Sequence, residues 1–251
     1  MLSNMSLLAG TPITAGKYKV KPWKLKEINE FGENNYNLFI SHLLVTKEKL
    51  KSSDSINKEF LAELDDYQAF CGLLLSDEST NEIVLKGLSA TLGLNFFMDK
   101  YQGLYYLNED SEIEIFDDSL FGEIRKTVSM QNYLTDEQSD NSFKPANNKA
   151  KELYEKLQKA RKQVREKNQE DAEGLNVSDT ISIVACYADG VNLNTIWDFT
   201  IYQLYESYVR LQIWDNFHIT QTLAPHLDED AMKNNKHWGI KVSPNTLKEE
   251  K

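Results

Sequence analysis

Apolar and polar positions change period several times along the chain. Near the N-terminus Tyr18 and Val20 alternate with Lys17, Lys19 and Lys21, a period of two that belongs to strands. Residues 13–22 therefore read as a short strand pair, with Ala15-Gly16 as the turn and Pro22 ending the second strand. Residues 1–11 are small and polar and read as a loose arm. Across residues 24–44 the spacing lengthens: Leu25, Ile28, Phe31, Asn35, Leu38 and Leu43 fall near 3.6 residues, so this stretch reads as helix, weakened at Gly32 and at Asn34 and Asn35. Ser53-Asp54-Ser55 offers an N-cap for a second helix whose stripe is Phe60, Leu61, Leu64, Tyr67, Phe70 and Leu74.

Residues 82–129 mix both periods. Residues 83–85, 103–107 and 112–116 are β-like runs, and Asn108-Glu109-Asp110 is the clearest turn, so the pattern predicts a small meander inserted between helices. Residues 88–98 fit helix or strand. Glu112-Ile113-Glu114-Ile115 alternates cleanly and predicts a strand that buries one face. Residues 134–148 are rich in Asp, Asn, Ser and Gln and read as a linker. Residues 149–167 carry a narrow apolar stripe of Leu153, Leu157, Ala160 and Val164 on an otherwise charged helical pattern, which suits a helical arm or a coiled-coil partner.

The C-terminal module is the most apolar and aromatic part. Ser178-Asp179 caps a short helix lined by Ile181, Val184, Ala185 and Ala188, with Gly190 as its stop. A longer helix then starts from an N-cap at Asn192 or Asn194. Trp197, Ile201, Leu204, Tyr208 and Leu211 form one stripe, and Phe199, Tyr202, Tyr205 and Val209 a second. A helix apolar on most of its circumference is normally sandwiched in a bundle or against a partner. Asp198 falls in its first turn, where it complements the helix dipole, and Gln203 is placed to hydrogen-bond a neighbouring helix. Pro225 ends the run, and a second aromatic anchor follows around Trp238. The fold expected is mostly α with a small β component (α+β). It comprises an N-terminal α+β region over 1–133 (hairpin, helices, β-meander insertion), a polar linker over 134–148 and a helical module over 149–251.

Composition narrows the function. The chain has 251 residues, with 41% hydrophobic and 27% charged, enough for a sizeable core without disulfide staples. The longest nearly apolar run, residues 181–188, is too short to span a bilayer, and the first ten residues lack the basic start of a signal peptide. Lys plus Arg is 28 against 39 Asp plus Glu, a net charge of −11, which disfavours nucleic-acid and anionic-membrane partners. The charge is segregated. Residues 54–123 hold sixteen acidic residues against three lysines, a net of −13, and residues 149–167 hold eight basic against three acidic, a net of +5. Such segregation lets two parts of one chain, or two copies, attract.

The candidate chemistry is sparse. Cys71 and Cys186 have apolar neighbours and read as buried packing thiols in a reducing cytoplasm. His42, His218, His226 and His237 lack metal-ligand spacing; His218 and His226 could join Asp228 or Asp230, but a surface role suits them better. The acidic run over 108–118 lacks EF-hand spacing. Asp65-Asp66 and Asp117-Asp118 are adjacent pairs, poorly placed as acid/base dyads. No P-loop, G-x-S-x-G or G-x-G-x-x-G occurs. The expectation is a protein with no catalytic residue, no metal and no cofactor.

The run Asn194-Thr195-Ile196-Trp197-Asp198-Phe199-Thr200-Ile201-Tyr202-Gln203-Leu204-Tyr205 resembles an N-I-W-D-[LF]-T-x-Y-Q-x-Y signature of tail assembly chaperones, or tail morphogenesis proteins, of phages infecting Gram-positive bacteria. His237-Trp238 is similar to the His-Trp pair near the end of those chains. Val20-Lys21-Pro22 followed by Glu27-Ile28-Asn29-Glu30-Phe31-Gly32-Glu33 is similar to their N-terminal basic piece and E-I-x-x-[FI]-G-E. The resemblance implies a non-catalytic tail assembly protein of the host cell cytoplasm. Such a protein shields tape measure or other tail components until the tube polymerises, and it carries no catalytic residue. The alternative is a structural tail, adaptor or baseplate subunit retained in the virion. The implied partners are tape measure, tube or baseplate proteins, with a homo-oligomer also allowed, and neither nucleic acid nor membrane. Trp197, Asp198, Tyr202, Gln203, Tyr205, Tyr208, Trp214 and Trp238 are the expected interaction or core anchors.

Overall fold

Gly16 and Gly32 set two early breaks in the chain. The computed structural model describes residues 4–46, 64–76, 78–101, 103–108, 112–134, 175–223 and 237–242. After a short helix α1 (Asn4–Ala9), strands β1 (Ile13–Ala15) and β2 (Tyr18–Val20) pair antiparallel, Ala15 opposite Tyr18. The two-residue turn is Gly16-Lys17, one residue later than the sequence pattern suggested, because the tight hairpin needs the positive φ of +55° that Gly16 supplies. The expected loose arm is instead α1, which buries Leu7 against Ile13 and Tyr202.

Gly32, at φ +94°, splits the next stretch into α2 (Leu25–Phe31) and α3 (Glu33–Leu43). The break resets the helical phase, so Tyr36, Phe39 and Leu43 face the core instead of Asn35 and Leu38. Helix α4 (Asp66–Ser76) begins at Asp65, whose carboxylate accepts Gln68 N–H while Gln68 Oε1 accepts Asp65 N–H, a reciprocal cap. It buries Phe70 and Leu74 and packs Tyr67 against the core. The expected cap at 53–55 and the stripe residues Phe60 and Leu61 lie outside the described residues.

Residues 83–85 are helical, not β. They belong to α5 (Glu78–Leu92), whose buried face is Val84, Gly87, Leu88, Thr91 and Leu92, a clean i, i+3, i+4, i+7, i+8 set that outweighs the β-branched pair Ile83-Val84. The meander exists but is displaced. Strands β3 (Asn95–Asp99), β4 (Gly103–Leu107) and β5 (Ile113–Ile115) form an antiparallel sheet in the order β3-β4-β5. Asn108 closes the link to β5: its N–H donates to Glu112 O and its Oδ1 accepts Glu112 N–H. A 3₁₀ turn (Asp118–Leu120) leads into α6 (Phe121–Gln131). Most of residues 134–148 and all of 149–167 lie outside the described residues.

Helix α7 (Val177–Tyr187) is capped by Asn176 with Asp179 in a capping box, two residues before the expected cap. Helix α8 (Ile201–Leu223) follows a 3₁₀ turn (Ile196–Asp198). The architecture is mostly α-helical with a minor β component, the hairpin and the three-stranded meander. One hydrophobic core runs from Val20 and Trp23 through Phe39, Phe70, Leu88, Leu104 and Ile124 to Val184, Ile196 and Leu204. Polar groups inside it pair with one another and with backbone carbonyls. Trp23 Nε1 donates to Thr91 Oγ1 at 2.9 Å, Thr91 Oγ1 to Gly87 O at 2.8 Å, and Gln131 Nε2 to Val20 O at 3.0 Å.

Candidate functional site

The segment that leads into α8 is built from short-range caps. Asn192 Oδ1 accepts the N–H groups of Asn194 and Thr195 at 2.9 and 3.2 Å, an Asx turn that aims Ile196 into the core, where it is fully buried. The chain then runs beside α2: Leu25 N–H donates to Phe199 O at 2.8 Å, and Lys24 and Thr200 form an antiparallel bridge. Asp198 precedes the helix, so it does not serve its dipole as expected. Its Oδ1 accepts Lys26 Nζ at 2.8 Å and Lys24 Nζ at 3.3 Å, and these two lysines hold its carboxyl below the usual range.

The N-cap of α8 is Thr200, not Asn192 or Asn194. Thr200 N–H donates to Gln203 Oε1 at 2.8 Å and Gln203 N–H to Thr200 Oγ1 at 3.3 Å, a reciprocal T-x-x-Q cap. The Gln203 amide also donates to Leu8 O at 2.8 Å, fastening α1. Tyr202 is buried, its ring 5.2 Å from and tilted to the Tyr133 ring, and Tyr205 stacks on Tyr133 at 5.9 Å. Tyr133 OH donates to Glu206. Burial raises the hydroxyl pKa of Tyr133, Tyr202 and Tyr205 above the ordinary tyrosine value, so all three stay neutral at physiological pH. Asp198, Tyr202, Gln203 and Tyr205 thus gather at the root of α8. Trp197 sits beside them at 36% exposure.

The far end of α8 is different. Its last buried residue is Ile213, which packs with Val209 and Val242. Arg210 Nη1 donates to Ile240 O at 2.7 Å and pins the C-terminal segment there. Tyr208, half-buried, accepts Gln212 Nε2 at 2.7 Å. Beyond Ile213 the helix continues to Leu223 with Trp214, Ile219 and Leu223 exposed. Trp214 lies 4.1 Å from the His218 ring; Phe217 touches both His218 and His237, and His237 touches Trp238. Trp214 and Trp238 are 51% and 48% exposed. The anchor of the closing segment is Val242, with Trp238 left outside. The sequence pattern missed Phe217 and Ile219 as continuations of the aromatic surface past Trp214, and it missed the Thr200 cap, although T-x-x-Q is legible.

Elsewhere, an open depression of about 340 Å³ is lined by Lys21, Trp23, Glu27, Glu30, Phe31 and Ala90, with Lys21 and Glu27 paired at 2.6 Å. Lys17 Nζ lies 3.2 Å from Glu114 and over the Tyr18 and Tyr106 rings, and Tyr106 OH donates to Glu114. Burial pushes the Tyr106 hydroxyl up to about 12. Cys71 is half-buried, and burial pushes its thiol up to about 11. Cys186 is exposed, which corrects the reading of both thiols as buried. Among the described residues, no group of three His, Cys, Asp or Glu side chains is placed to hold a metal, and no helix is long and apolar enough to cross a membrane.

A family described as the YomV second domain matches residues 166–242. The matched stretch contains α7, α8 and the closing segment, and so holds the exposed aromatic cluster and its root. The match suggests a phage-associated protein. No curated protein and no solved structure matches the chain.

Proposed function

We propose that this chain is a non-catalytic phage tail-assembly protein, a chaperone that binds tape measure or other tail components through the projecting end of α8. The observation that carries this reading is the exposure of Trp214, Trp238, Ile219 and Leu223 beyond the last buried turn. Scattered exposed apolar residues are ordinary, but a linked aromatic cluster on a helix end that leaves the core is the composition of a contact surface. Its location inside the stretch that matches a phage-associated family supports a phage partner. An amphipathic helix of a tail component is the ligand such a surface suits. A release step at tube polymerisation calls for modest affinity, which a small aromatic patch provides.

Affinity capture with the full chain from infected cells, followed by mass spectrometry, tests the assignment. Recovery of tape measure or tube proteins is expected. Recovery of host metabolic proteins alone would overturn it. The protein inventory of purified virions tests the chaperone role: absence or trace amounts are expected, and abundant copies would replace it with a structural subunit of the particle.

A further inference from the structure

The meander has a second apolar face that the proposed function does not use. Strand β5 sets half-exposed Glu114 on the same side as buried Tyr106, where Lys17 and Tyr106 hold it, and this turns Ile113 and Ile115 to the opposite side, at 64% and 66% exposure. The alternation is clean, as the sequence implied, but its polarity is the reverse of that of a strand with a solvated outer face. The register sets Ile115 beside Tyr105 and Tyr105 beside Phe97, and sets Ile113 beside Leu107. Phe97 and Tyr105 stack at 5.6 Å. These five side chains make one outer sheet face, while Phe96, Leu104 and Tyr106 fill the inner one. A sheet that is apolar on both faces is a middle layer and calls for a cover.

We propose that the cover is residues 149–167 of the same chain. Three observations select it. Its stripe of Leu153, Leu157, Ala160 and Val164 offers a single apolar side to match the sheet. Its net charge of +5 complements the net −13 of residues 54–123, which contain all three strands, and Asp99 ends β3 on the same face as Phe97. The chain leaves the described residues after Leu134 and returns at Leu175, so at about 3.3 Å per extended residue the connections on either side of 149–167 span up to about 50 and 26 Å.

The test is photo-crosslinking of the full chain at low protein concentration, with benzoylphenylalanine replacing Phe97 in one variant and Ile115 in another. Intrachain crosslinks from either position to peptides of 149–167 are expected, with a yield that falls several-fold as salt rises from low to molar concentration. Crosslinks to a second copy, crosslinks to other segments, or none from either position would overturn the proposal. A second measurement uses trypsin, since 149–167 holds eight Lys and Arg sites. An Ile113→Lys/Ile115→Lys variant with unchanged circular dichroism should be cut there about tenfold faster than the parent chain, and an equal rate would overturn the proposal. Neither experiment reads the α8 surface, so its outcome is independent of the proposed function.

Discussion

Arg125 sends one guanidinium nitrogen to Asp66 Oδ2 at 2.6 Å and the other to the carbonyls of Leu44 and Val45 at 3.0 and 2.7 Å, while its Nε is buried without a partner. One side chain thereby joins the end of α3 to the start of α4. Arg125→Ala leaves an acid and two carbonyls without this donor and should lower stability by about 2–4 kcal/mol in urea unfolding. Arg125→Lys should recover only part of that, because a single ammonium cannot span the fork. A second prediction concerns acid. Tyr106, Asn108 and Lys17 hold the Glu114 carboxyl below its ordinary value near 4.5, and Lys26 and Lys24 hold Asp198 below its ordinary 3.8. An acid depressed on folding contributes stability that is present above its unfolded pKa and is lost as the pH falls through the folded one. The unfolding midpoint should therefore drop below about pH 4.5. A Glu114→Gln/Asp198→Asn chain should start lower at pH 6 and lose less by pH 3. The long-range partnerships were not legible beforehand, because they join residues far apart in sequence, such as Lys26 with Asp198 or Arg125 with Asp66.

At the level of elements, Gly87 fixes how closely α5 approaches α3. A Cβ there would lie 2.4 Å from the Phe39 ring. Gly87→Ala gains about 1 kcal/mol of helix propensity but forces Phe39 aside, and overpacking of this kind costs about 1–3 kcal/mol. The net effect should be a loss of thermal stability, smaller in a Phe39→Ala background, where the Cγ and Cδ atoms that a Cβ at residue 87 would strike are gone. The hairpin, the helix pair broken at Gly32, the meander and the aromatic helix were all legible, because each carries its own period or punctuation. The β-like run at 83–85 is helical because the longer stripe Val84, Gly87, Leu88, Thr91 and Leu92 decides over three residues. The inverted face of β5 was beyond any local pattern. Alternation announces two faces, but only the pairing of Glu114 with Lys17 and Tyr106 decides which one turns inward.

For the molecule as a whole, the eight expected anchors fall into distinct roles that the aromatic character of six of them concealed. Tyr202, Tyr205 and Gln203 knit the root of α8 to α1 and to Tyr133, and Asp198 ties the approach to α2. Trp214 and Trp238 stand outside the core. The helical period marks Trp214 as equivalent to the buried residues before it, because nothing in the sequence says where the supporting core stops beneath a long helix. A tail component is proposed to dock on this projecting end. The most direct measurement compares the parent chain with a Trp214→Ala/Trp238→Ala variant in capture from infected cells, with thermal unfolding run in parallel. Recovery of tail proteins should fall by about tenfold or more while stability stays within about 0.5 kcal/mol. Equal recovery of the same tail proteins by both chains would contradict the proposal.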